Sequence, residues 1–67
     1  MKIILRDCKR KKKDKIDLSS LELSFIPEEI LKFDFIKELN FSNNNLINLE
    51  RSITQLQNLE VLDLSNN

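Results

Sequence analysis

The 67-residue sequence contains no His, Gly, Trp or Tyr, and has one Pro, one Cys and one Met. Without histidine, imidazole acid–base chemistry and the commonest metal ligand are absent. A single Cys8 can form neither an internal disulfide nor a zinc knuckle, which excludes small stapled secreted scaffolds. Lack of glycine removes the phosphate-cradling loops of nucleotide-binding proteins. Apolar stretches are short, well below the roughly 20 residues needed to cross a bilayer, and Ile3-Ile4-Leu5 is too brief for a signal-peptide core. These absences predict a soluble, intracellular chain with no cofactor, no metal and no transmembrane segment. The expected location is cytoplasmic, with nuclear import left open by the basic run described below.

Charge is balanced overall, with 11 basic and 11 acidic residues. The balance conceals a split. Residues 1–15 hold eight bases against two acids, +6, and residues 16–67 hold three bases against nine acids, −6. A basic flank over 1–15 therefore precedes an acidic body over 16–67. One small domain is expected, and a chain this short buries only about 60% of its unfolded surface.

An internal period organises the body. Ile36, Leu39, Phe41, Asn44, Leu46, Leu49, Ile53 and Leu56 set a pattern that restarts one period later with Leu59, Leu62, Leu64 and Asn67. The same places one period earlier hold Ile16, Leu18, Leu23, Ile26, Ile30 and Phe33, with Leu21 where Asn44 would fall and Lys13 at the first place. Leu39 and Phe41 alternate as in a short strand with one buried side. The wider spacing that follows fits a return path of turn, helical or 3₁₀ pieces. Pro27-Glu28-Glu29 opens one such piece, with proline at the first helical position and acids at the positive end of its dipole. Units of one strand and one return segment stack into a solenoid of parallel strands around a common interior.

The segments 36–46 (IKELNFSNNNL) and 59–67 (LEVLDLSNN) follow the L-x-x-L-x-L-x-x-N core and resemble the leucine-rich repeat family. The 23-residue unit with Ile26-Pro27 before Ile30 looks like the intracellular, Ras-suppressor type, although Glu50 replaces the proline in the second unit. The expected fold is an α/β leucine-rich repeat solenoid, truncated, with frames 13–35, 36–58 and a partial 59–67. The resemblance implies that Asn44 and Asn67 belong to an asparagine ladder satisfying backbone groups where strand turns into return path. It also implies that exposed strand residues line a concave binding face: Asp17, Ser19 and Ser20; Lys37, Glu38, Asn40, Ser42 and Asn43; Glu60, Val61, Asp63, Ser65 and Asn66. Of these, Lys37, Glu38, Asn40 and Asp63 are the favoured contacts.

The function implied is a non-enzymatic protein–protein interaction module, of the kind found in signalling scaffolds, with another protein as partner. The serine column suggests no hydrolase, because no histidine stands ready as base, and neighbouring Glu28 and Glu29 suit dipole capping. Two rivals remain: a basic-tail binder of nucleic acid or anionic membrane through Lys9, Arg10, Lys11, Lys12 and Lys13, and a regulatory arm of a larger signalling enzyme. Nucleic acid is disfavoured because all four Phe lie between residues 25 and 41, away from the basic run. That run reads first as a solvated, partly disordered flank, with Met1–Leu5 pairing on the first strand's edge as the alternative. Cys8 reads as a spectator thiol in a mobile arm, whose basic neighbours would favour thiolate. Asn40-Phe41-Ser42 matches a glycosylation acceptor by chance. Repeat arrays usually need about three units and caps. The sequence is accordingly expected to be a piece of a longer repeat protein, open to self-association through its repeat ends.

Overall fold

A computed structural model describes residues 2–48 and 51–67, with Lys2, Arg51 and Ser52 described through their backbone only. The repeat place at Leu49 and the Glu50 substitution lie outside the described residues. The order is α1 (Lys2–Lys11), β1 (Lys15–Asp17), a 3₁₀ turn (Glu28–Lys32), β2 (Glu38–Asn40), a second 3₁₀ turn (Arg51–Gln55) and β3 (Val61–Asp63). The three strands form one parallel sheet in sequence order. Its register pairs Ile16 with Leu39 and Leu39 with Leu62, so each step across the sheet advances the chain by one full unit. The period in the sequence is thus the period of the ladder.

Hydrogen bonds repeat with the same shift. The Asp14 carbonyl accepts from the N–H groups of Lys37 and Glu38 (2.7 and 2.9 Å), and the Lys37 carbonyl accepts from those of Glu60 and Val61 (2.7 and 3.0 Å). On the return path, Phe33 N–H donates to Ile30 O (3.0 Å) and Leu56 N–H to Ile53 O (3.1 Å), the i to i−3 bonds of 3₁₀ geometry. Pro27 stands one place earlier than expected, at the N-cap of the first turn with extended ψ of 133°, and Glu28 and Glu29 occupy that first turn. At the ends of the strands the chain turns through left-handed conformations without glycine. Ser20, Asn43 and Asn66, at equivalent places in successive coils, have φ of 55°, 56° and 57°. Asparagine tolerates this region better than other residues with a Cβ.

The core comprises Ile16, Leu18, Ile30, Phe33, Ile36, Leu39, Phe41 and Leu56, joined by Leu5 and Cys8 from α1. Coverage differs along the stack. Leu39 in the central coil is buried, while Leu62 and Leu64 in the third are half-buried. Phe33 and Phe35 stack with ring centroids 5.2 Å apart. Apolar area removed from water at these positions is the main favourable term.

The segment expected as a solvated flank or strand-edge partner is a ten-residue helix. Leu5 and Cys8, three positions apart, fall on one helical face and enter the core, whereas the charges around them face water. The helix ends with Lys12 in the left-handed region (φ 49°), and Lys13 N–H donates back to the Cys8 carbonyl (3.1 Å). This six-to-one bond is that of a Schellman C-cap, with lysine in the place usually held by glycine. Lys9, Arg10 and Lys11 occupy its last turn, where cations complement the dipole.

Candidate functional site

The register sets out the solvent-facing strand residues in columns. Lys15, Glu38 and Val61 lie side by side, as do Asp17, Asn40 and Asp63. Their neighbours in the chain, Ile16, Leu39 and Leu62, point inward, as a two-residue alternation requires. Lys37, Glu60, Val61, Asp63 and Ser65 are exposed, Glu38 and Asn40 are half-buried, and Ser42 is buried. The Lys15 ammonium lies 3.7 Å from a Glu38 carboxylate oxygen, an exposed pair of small energetic weight.

Two of the columns are joined by a local motif that the repeat pattern alone does not announce. In each coil the side-chain oxygen two residues before the serine accepts both its N–H and its hydroxyl. The Oδ1 distances are 2.9 and 2.6 Å for Asp17 with Ser19, 3.0 and 2.7 Å for Asn40 with Ser42, and 3.0 and 2.7 Å for Asp63 with Ser65. The signal is the Asx-x-Ser spacing, which offers the backbone a local turn. Serine donation holds both carboxylates ionised to lower pH than usual. For Asp17 the Ser19 hydroxyl is the larger cause, and for Asp63 the Ser65 N–H is. Asn40, Ser42, Asp63 and Ser65 therefore shape the strand ends, whereas Lys37, Glu38, Glu60 and the exposed Val61 take no part in this motif.

Asn44 is buried and makes five hydrogen bonds. Its Oδ1 accepts from the N–H groups of Leu21 and Leu23 (both 3.0 Å), and its Nδ2 donates to the carbonyls of Leu18 (2.9 Å), Phe41 (3.1 Å) and Ser42 (3.2 Å). Asn67 repeats the arrangement one coil later, accepting from Leu46 N–H (2.9 Å) and donating to Phe41, Leu64 and Ser65 carbonyls (3.0, 2.9 and 3.3 Å). Each amide reaches back into the preceding coil. Leu21 needs no such group, since α1 and not another coil precedes β1.

The basic run is divided by the fold. Lys9, Arg10 and Lys11 belong to α1 and Lys12 to its cap, while Lys13 and Lys11 both reach Asp7 (3.1 and 3.3 Å). These two lysines, Lys13 foremost, hold the Asp7 carboxyl below its ordinary range. Cys8 does not lie in a mobile arm: it is buried, its Sγ lies 3.5 Å from the Lys13 carbonyl, and burial pushes its thiol up rather than toward thiolate. Apolar Ile3, Ile4, Leu21, Phe25 and Ile47 are exposed in addition to Val61. Among the described residues, no group of His, Cys, Asp or Glu is placed to hold a metal ion, and no helix is long and apolar enough to cross a membrane.

No family model matches the sequence. Among solved structures, a leucine-rich repeat protein of Leptospira interrogans superposes with a TM-score of 0.64 and 27% identity, over 94% of this chain and 22% of that one. This chain belongs to the leucine-rich repeat family. Curated relatives of this leucine-rich repeat chain include two proteins named as the 3'-5'-exoribonuclease subunit Ccr4 of the CCR4-Not complex. That of Candida glabrata is 44% identical over 49 residues, and that of Schizosaccharomyces pombe is 36% identical over 61 residues. These matches take in 73% and 88% of the leucine-rich repeat chain but only 6% and 9% of the relatives. The fold is that of a repeat module for protein interaction.

Proposed function

We propose that this leucine-rich repeat chain is a non-catalytic docking element that presents the solvent face of its parallel sheet to another protein. The observation that carries this reading is the fixed register of the three strands, which sets Lys15, Glu38 and Val61, and Asp17, Asn40 and Asp63, in two solvent-facing columns, with Lys37 and Glu60 exposed just before the strands. A surface built on strands loses little entropy on binding. An exposed valine flanked by charges supplies both an apolar contact and orientation. Asn40, Ser42, Asp63 and Ser65 serve it indirectly by fixing the strand ends. The yeast relatives are named as subunits of a complex, which supports a role in holding a multi-subunit assembly together inside the cell. The same name supports a second reading, in which the repeats are the attachment arm of a larger nuclease.

The test is a Glu38→Lys, Glu60→Lys, Asp63→Asn variant. Asparagine at 63 keeps the oxygen that accepts from Ser65, as Asn40 does in its own column. Proteins retained by the wild-type chain should be lost from the variant while its circular dichroism is unchanged. Retention of the same set would show that the sheet face is the wrong surface.

A further inference from the structure

Among the described residues nothing pairs with the edge of β1 that faces away from β2, and a groove runs beside it. Asp14 O, Leu18 N–H and Ser20 N–H all bond across to β2 or its continuation. Residues of a strand alternate the direction of their backbone groups, so the N–H and C=O of Lys15 and Asp17 point to the other side. No backbone partner on that side is found among the described residues. Such a row of unpaired groups is a template for another strand.

The groove, about 440 Å³, is lined on the strand side by Lys15, Ile16 and Asp17 and on the helix side by residues of α1 that include Ile3, Ile4 and Arg10. Ile3 is 75% exposed. The charges on its walls are Arg6, Arg10, Lys13 and Lys15 against Asp7 and Asp17, an excess of two positive. Asp7 is engaged by Lys11 and Lys13, Asp17 by Ser19, and Lys15 by Glu38. Arg6 and Arg10 form no ion pair among the described residues. Backbone groups, apolar side chains and two free guanidinium groups thus converge on one site.

We propose that this groove binds an extended acidic peptide, which adds to β1 as a fourth strand. Its backbone would complete the ladder at Lys15 and Asp17. Apolar side chains on alternate positions would cover Ile3 and Ile4, and the intervening acids would meet Arg6 and Arg10. Arginine forks suit carboxylates in two-point contact. This surface lies at the flank of the sheet and shares Lys15 and Asp17 with its solvent face. Arg6 and Arg10 lie on α1, away from that face, so variants at these arginines test it independently of the first reading.

The test uses the full 67-residue chain, ¹⁵N-labelled, and an acetylated, amidated hexapeptide alternating Glu and Val. Titration should give saturable shifts at the amides of Lys15 and Asp17 and should slow their hydrogen exchange. Two further peptides carry N-methyl groups on the odd or on the even amides. One of them, methylated on the edge facing β1, should bind at least tenfold more weakly than the other. Arg6→Glu with Arg10→Glu, both at exposed positions, should weaken the parent peptide at least tenfold with circular dichroism unchanged. Absence of saturable shifts overturns the proposal. Equal binding by the two methylated peptides does so too, since it reduces the contact to charge alone. Shifts that grow with protein concentration and without peptide would assign the groove to a second copy, and would also overturn it.

Discussion

Replacing Asn44 by alanine removes five hydrogen bonds at once, yet the partners do not suffer equally. The Phe41 carbonyl keeps a donor in Asn67 Nδ2, and the Ser42 carbonyl keeps one in Ser20 N–H. Leu21 is exposed, so its N–H can turn to water. The Leu18 carbonyl belongs to a residue with no exposed surface, and the Leu23 N–H is half-buried; both are stranded. At about 1–3 kcal/mol for each stranded group, Asn44→Ala should cost roughly 3–4 kcal/mol. At about 0.05–0.15 kcal/mol per residue, a chain of this length holds only about 3–10 kcal/mol in all. Asn67→Ala, at an exposed position, should cost about 1 kcal/mol or less. With no Trp or Tyr to report by fluorescence, urea unfolding is followed by far-ultraviolet circular dichroism. The Asn44→Ala transition should fall by about 2–4 M relative to wild type, or vanish, for a slope of about 1–1.5 kcal/mol/M. A loss no larger than that of Asn67→Ala would refute the argument that this amide closes the coil.

Three further outcomes follow from the geometry. Lys12→Gly should stabilise the chain by about 1 kcal/mol, because the helix cap requires a left-handed residue there; an unchanged or lower urea midpoint would contradict it. Cys8 should alkylate slowly with iodoacetamide at pH 8 and far faster in urea, since burial and not its basic neighbours governs the thiol; equal rates would place it at the surface. Asp17 and Asp63 are held below the usual carboxylate range, so their contribution is complete above the unfolded value of about 3.9 and fades as pH falls through the folded values. Stability measured between about pH 5 and 2 should therefore fall less steeply in an Asp17→Asn, Asp63→Asn variant than in wild type. An identical slope would remove these carboxylates from the account.

The stack is legible because its interior positions recur at a fixed interval. Leu39 and Leu62, which hold the same place in successive units, are register partners in the sheet. Asn44 can be read the same way, since an amide at a repeated strand end has a backbone to satisfy. Helix α1 is not legible. Among its described residues the inward face is Leu5 and Cys8, and a stretch so rich in lysine and arginine carries the signal of a solvated flank. The burial of Cys8 depends on that helix, so its charged neighbours taken alone invert the expected thiol. Asn40, Ser42, Asp63 and Ser65 look like free contacts when coils are compared with one another. The bonds that engage them run within each coil, from one residue to the next but one.

The backward reach of the asparagines gives the protein a direction in time. During synthesis the first coil emerges with the Leu18 carbonyl and the Leu21 and Leu23 N–H groups still hydrated, and only the arrival of Asn44 replaces that water with an amide. Leu46 waits in turn for Asn67. Each turn of the chain is locked by the one made after it, so order should spread along the nascent polypeptide one repeat behind its growing end.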